Sequence, residues 1–321
     1  MFNKSILEKV LAQYKQDFVL TQWKNENYKW KAVKQFQDNW DVNASDFSEM
    51  LSRSLEKTYN LLASANNFPK GMMSEFAKAA PEEVRAMFIA LFDESRDVFE
   101  RMDEFKHQSS VLLEKYGNGA AQHYQYENAI STYLWLRYPD KYYIYKFSEV
   151  KTVASELESD YQFRKGAYAE NIRNFLNLYD EISAALKEDA ELVNLLHSHL
   201  TDDCYPDPEL KTLTIDVGFY ISRYYSQIEP PHERTNWYGA DYNPGFTVSD
   251  WEKLLKDREV FTTGALEIVK RMLDYGGTAS CLQLSIKYGE TSNFYNSGSV
   301  ALAKRICKAT GVIPEKREDG S

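Results

Sequence analysis

Three cysteines, Cys204, Cys281 and Cys307, are too few and too scattered for a disulfide framework or a zinc site. Glycine and proline are also sparse, 14 and 9 in 321 residues, which excludes collagen-like or low-complexity chains and leaves helix formers dominant. No uncharged run approaches the roughly 20 residues that span a bilayer. The first stretch, MFNKSILEKVLAQYKQDF, breaks its apolar residues with charges at helical spacing and so lacks a signal peptide's core. A cytoplasmic protein with no membrane partner is expected. Basic charge is short too: 38 Lys and Arg against 48 Asp and Glu give a net −10, which on average opposes nucleic acid. The patterns GxxxxGK[ST], GxSxG and HExxH are absent, so no complete catalytic site is visible and no cofactor is expected.

What is present is aromatic and helical. The chain holds 23 Tyr, 17 Phe and 6 Trp, and its length suits two or three units with cores of their own. Apolar residues recur at three and four along Trp30, Val33, Phe36, Gln37, Trp40 and again from Phe47 to Leu62. The pattern breaks at Asn66, Asn67 and Pro69, and Pro81 opens a further helix at its first turn. A helix from about Tyr124 brings Tyr126, Ile130, Tyr133, Leu134 and Arg137 to one side and stops before Pro139. Residues 142–147 then read as an extended strand with bulky side chains on both faces, and more helices follow over 148–160, 167–187 and 189–200 and around TIDVGFYISRYY.

Charge is unevenly spread: residues 1–150 carry −2, 151–250 carry −10 and 251–321 carry +2. Residues 226–246 hold three prolines, two glycines and no helical stripe, the mark of a linker. The expected organisation is mostly α: a multi-helix domain over 1–225 with at most a short extended segment, the linker 226–246, and a helix-turn-helix-like unit over 247–321, with or without a wing. In that last unit Ala265 to Leu273 form an amphipathic helix capped by Gly276-Gly277. Thr278 caps a second helix, closed by Gly289, and a third turns Tyr295, Ser299, Leu302, Ala303 and Ile306 inward.

The outward residues of that third helix are the candidate nucleic-acid contacts. Asn293, Asn296 and Ser297 stand near its start, where polar side chains read base edges, and Lys304, Arg305 and Lys308 follow where cations meet phosphates. An ordinary three-helix packing unit with a polar face is the alternative. Asp140, Glu149 and Lys151 match a PD...ExK nuclease pattern, with two carboxylates for magnesium and a lysine for the attacking water. That chemistry needs a mixed sheet, and one strand is not a sheet, so turn and helix-start roles are preferred. His197, His199 and Cys204 suggest metal spacing, but helical residues two apart diverge and no fourth ligand is present. The tyrosines of STYLWLRYPDKYYIYKFSEV would suit base stacking, yet a helix stripe joined to a doubly bulky segment is better explained as core.

NAISTYLWLRYPDKYYIYKFSEVK, with LLASANNFPKGMMSEFAKAAPEEVRAMFIALFDES before it and LTDDCYPDPELKTLTIDVGFYISRYY after it, resembles the N-terminal region of McrB-like AAA+ proteins of modification-dependent restriction systems. The tail from Leu254 to Gly311 is similar to a module that follows this region in such proteins and accompanies other restriction-type nucleases. The resemblance implies a DNA-targeting arm, often for modified cytosine, ahead of a GTP-hydrolysing ring that works with an McrC-type nuclease subunit. The ring and its Walker motif are missing, and the end at EKREDGS reads as a truncation before the motor, so the fragment is expected to be noncatalytic. The rivals are a protein-interaction or assembly module of the same system and the nuclease above.

Overall fold

A computed structural model describes residues 1–63, 67–225, 245–275, 279 and 281–312. By internal contacts the chain divides into two compact units, Met1–Ser226 and Gln227–Ser321. The first begins with α1 (Lys4–Asp17), runs through a π-helical turn at Phe18–Gln22 into α2 (Trp23–Glu26), and continues with α3 (Tyr28–Asn39), α4 (Phe47–Ser54), α5 (Tyr59–Leu62), α6 (Pro69–Ala79), α7 (Pro81–Leu91) and α8 (Val98–Tyr116). It ends with α9 (Glu127–Arg137), α10 (Phe147–Glu156), α11 (Tyr168–Glu188), α12 (Ala190–His199) and α13 (Lys211–Arg223). The second holds α14 (Val248–Lys256), α15 (Thr263–Asp274), α16 (Cys281–Tyr288) and α17 (Ser292–Thr310). Most of the expected linker, with Gly276-Gly277 and Thr278, lies outside the described residues.

Local chemistry sets many of the boundaries. Asp46 accepts from the Glu49 amide, Asp97 from those of Phe99 and Glu100, and Asp189 from that of Leu192, each satisfying helix-start donors that have no intrahelical partner. Pro69 and Pro81 occupy first-turn positions where a missing N–H costs nothing. The helix expected from Tyr124 starts three residues later, at Glu127, because Tyr124 adopts φ +60°, a left-handed conformation that a helix cannot contain.

The centre of the first unit is α9. Every residue from Ala129 to Leu136 is buried, so this helix does not show one apolar stripe but is covered all round. Its polar side chains fold back: Ser131 and Thr132 hydroxyls donate to the Asn128 carbonyl, and Trp135 Nε1 donates to Thr212 Oγ1 at 3.2 Å. Gln37 Nε2 in α3 closes the far end by donating to the carbonyls of Leu136 and Arg137.

The strand expected over 142–147 does not form. Residues 142–146 have no regular secondary structure, no sheet exists among the described residues, and Phe147 already opens α10 after an extended Lys146. The side chains of α9 take over the ladder's role: the Tyr145 amide donates to Ser131 Oγ at 2.9 Å and Asn128 Nδ2 donates to the Tyr145 carbonyl at 3.0 Å. Tyr142, Tyr143, Ile144 and Tyr145 are each at most 4% exposed, which places these aromatics in the core. The Tyr142 hydroxyl meets Glu94 and the buried guanidinium of Arg101, so phenol groups reach polar partners at the edge of the apolar layer.

Helix α13 packs closely on α11 and α10. A Cβ on Gly218 would stand 2.4 Å from Tyr179 Oη, so glycine is what lets α13 and α11 approach. The start of α13 is capped from a distance: Leu210 precedes it at φ +55°, and Asp207 accepts from the amides of Thr212 and Leu213 and from Trp30 Nε1.

Candidate nucleic-acid interface

The second unit is built from capped amphipathic helices. Thr247 and Asp250 form a reciprocal capping box at α14, and Thr262 and Thr291 accept from the amides of Ala265 and Phe294 at the starts of α15 and α17. Two small apolar clusters hold the helices together. Leu254, Val260 and Phe261 pack with Leu302 and Ile306, while Ile268, Leu284 and Tyr295 pack with Met272 and Tyr288. Arg271 joins α15 to α16 and α17: Nη1 donates to Tyr295 Oη at 2.6 Å and its carbonyl accepts from the Tyr288 hydroxyl, while Nε donates to Glu267 at 2.9 Å. Gly289, at φ +82°, leads from α16 through two further residues into α17.

Helix α17 therefore has a defined inner face. Tyr295 is fully buried and Ser299, Leu302 and Ile306 are half-buried, as the spacing predicts, but Ala303 is exposed. At 100° per residue Ala303 falls on the shoulder of the buried arc, at the edge of the packed face.

Asn293, Asn296, Ser297, Lys304 and Lys308 are all exposed. Asn293, Asn296, Lys304 and Lys308 lie within about 60° of one direction around the helix axis. Neither lysine makes an ion pair among the described residues, whereas Lys270, Arg271 and Lys253 each face a carboxylate. Two candidates differ from expectation. Arg305 is half-buried with Nε donating to the Val260 carbonyl at 2.8 Å, so it braces the loop before α15. Ser297 Oγ donates to the Asn293 carbonyl at 2.6 Å, which commits its proton to the helix.

The other sequence patterns are not assembled into sites. Asp140 is exposed and accepts from the Tyr205 hydroxyl at 2.7 Å. Glu149 points inward from α10 at 6% exposure, and Lys151 two residues on is exposed. Burial pushes the Glu149 carboxyl above its ordinary range, and its Oε2, 3.8 Å from Lys146 Nζ, has no hydrogen-bond partner among the described residues. His197 is exposed, Cys204 is buried, and the His199 ring packs edge-on against Phe18. Among the described residues no group of three or more His, Cys, Asp or Glu is placed to hold a metal ion.

One polar cluster was not visible in the sequence. Asp216 of α13 accepts from the Tyr14 hydroxyl at 2.6 Å, from Gln22 Nε2 at 3.0 Å, and from Lys29 Nζ, all within the core. Lys29 Nζ also lies 2.9 Å from Glu26 Oε2, off the direction of a hydrogen bond. Burial works against the Lys29 charge, but Asp216 and Glu26 outweigh it and hold its pKa above the usual lysine value. The one available signal was an aspartate inside the apolar run TIDVGF, 187 residues from its lysine. Comparison with known proteins finds no matching family model, no similar curated protein and no similar solved structure.

Proposed function

We propose that this chain binds duplex DNA through its second unit, with α15, α16 and α17 acting as a helix-turn-helix and α17 as the helix that enters the major groove. The observation that carries the reading is the ridge of Asn293, Asn296, Lys304 and Lys308, exposed on one face of α17, with its two cations free of carboxylate partners among the described residues. Polar side chains at the start of such a helix meet base edges, and cations farther along meet phosphate. The short connection through Gly289 and the positive balance of residues 251–321 agree with it.

On the sequence resemblance, this chain acts as the DNA-targeting arm of an McrB-like anti-phage restriction system, with an AAA+ ring and an McrC-type nuclease as its partners. The test is fluorescence anisotropy on a labelled duplex at several salt concentrations. Lys304→Ala with Lys308→Ala should weaken binding and reduce the log–log salt slope by about 2, nearly one counterion per lysine. Arg305 is left intact because it braces the unit. A folded double variant with unchanged affinity and slope would remove α17 from the DNA contact.

A further inference from the structure

We infer that α17 selects adenine·thymine pairs through the major groove. This rests on the DNA-binding reading above and adds the base chemistry to it. The edge groups available on the exposed ridge are few. Asn293 and Asn296 stand one turn apart with their amides exposed, and Val300, at 47% exposure, lies on the same face about 10 Å along the axis from Asn293. An asparagine amide matches adenine, donating to N7 while accepting from the N6 amine, and valine methyls pack on the thymine C5-methyl.

Around the two asparagines, from Ser292 to Val300, α17 holds no arginine, lysine or carboxylate, the groups that read the other pair. Guanine is read best by a bidentate guanidinium, but the one arginine of α17, Arg305, has its Nε engaged with the Val260 carbonyl. Cytosine N4 calls for a carboxylate acceptor, and α17 has no acidic residue from Ser292 to Thr310. Lys304 begins about 16 Å along the axis from Asn293, a spacing that suits the phosphates flanking a groove whose bases the amides touch. Charge therefore provides affinity at one end of the helix and amide geometry provides selection at the other.

The experiment compares the full chain's affinity for short duplexes of A·T pairs only, of G·C pairs only, and of A·T pairs with 7-deazaadenine replacing adenine, which removes the N7 acceptor from the major groove alone. The A·T duplex should bind about tenfold tighter than the G·C duplex, and 7-deazaadenine should erase that advantage. Asn293→Ala with Asn296→Ala should erase it too, while leaving the salt slope unchanged. Alanine favours an exposed helix more than asparagine does, so circular dichroism should show the variant folded. Equal binding of the A·T and G·C duplexes, or a preference that survives either change, overturns the inference while the DNA-binding reading stands. No binding to any duplex fails that reading, and this inference with it.

Discussion

Asp216→Asn isolates the charge of the buried cluster with almost no change of shape. In the wild type Asp216 Oδ2 accepts from Tyr14 and Gln22 and Oδ1 accepts from Lys29, so both oxygens already face donors. An asparagine must place its NH2 group at one of these positions, opposing either the ammonium or the two neutral donors. Lys29, with its side chain only 3% exposed, then keeps Glu26 as its remaining ion-pair partner among the described residues. Breaking a buried pair by removing one partner costs about 3–5 kcal/mol, a large share of the roughly 5–15 kcal/mol that stabilises a domain. Urea unfolding followed by tryptophan fluorescence should report it, since Trp23 and Trp30 pack together beside this cluster. Adding Lys29→Met should return part of the loss, because the stranded cation is then gone. A cost of Asp216→Asn below about 1 kcal/mol, or one that Lys29→Met only increases, would refute the view that Lys29 depends on Asp216.

Two further outcomes follow from the packing of α13. Burial outweighs three hydrogen-bond donors at Asp207 and pushes its carboxyl up to about 7. A folded-state pKa raised above the unfolded value gives stability that is full below about 4 and is lost as pH rises through 7. Urea midpoints of the wild type should therefore gain more on going from pH 8 to pH 5 than those of Asp207→Asn, and parallel pH profiles would contradict the assignment. Gly218→Ala drives a methyl into the Tyr179 ring and should cost about 1–3 kcal/mol in a thermal melt, whereas an unshifted melting temperature would mean that α11 and α13 part without strain.

The sequence made the local punctuation legible and left the distant pairings hidden. Pro81 and Pro139 marked a start and a stop because their effect lies within a turn of the residue itself. The polar ridge of α17 was equally legible, since helical period alone separates Asn293 and Lys304 from Tyr295 and Leu302. Arg305 and Ala303 sit at the two borders of that ridge, where the side chain's neighbours, not the period, decide whether it is covered. Residues 142–147 carry the composition of a strand, but pairing is a property of two segments, and here Asn128 and Ser131 supplied the partner groups. The Lys29–Asp216 pair had no local signature in any window, because its two halves meet only once α3 and α13 are packed.

The run from Tyr142 to Tyr145 combines β-prone side chains with no charge, the composition of a segment that readily adds strands to its own kind. Its backbone bonds in part to the Asn128 and Ser131 side chains of α9, while Tyr142 and Tyr143 also meet residues of α8 and α11. Keeping this run covered therefore depends in part on α9. A change that loosens α9 is expected to expose this uncharged, β-prone run to pairing with another chain.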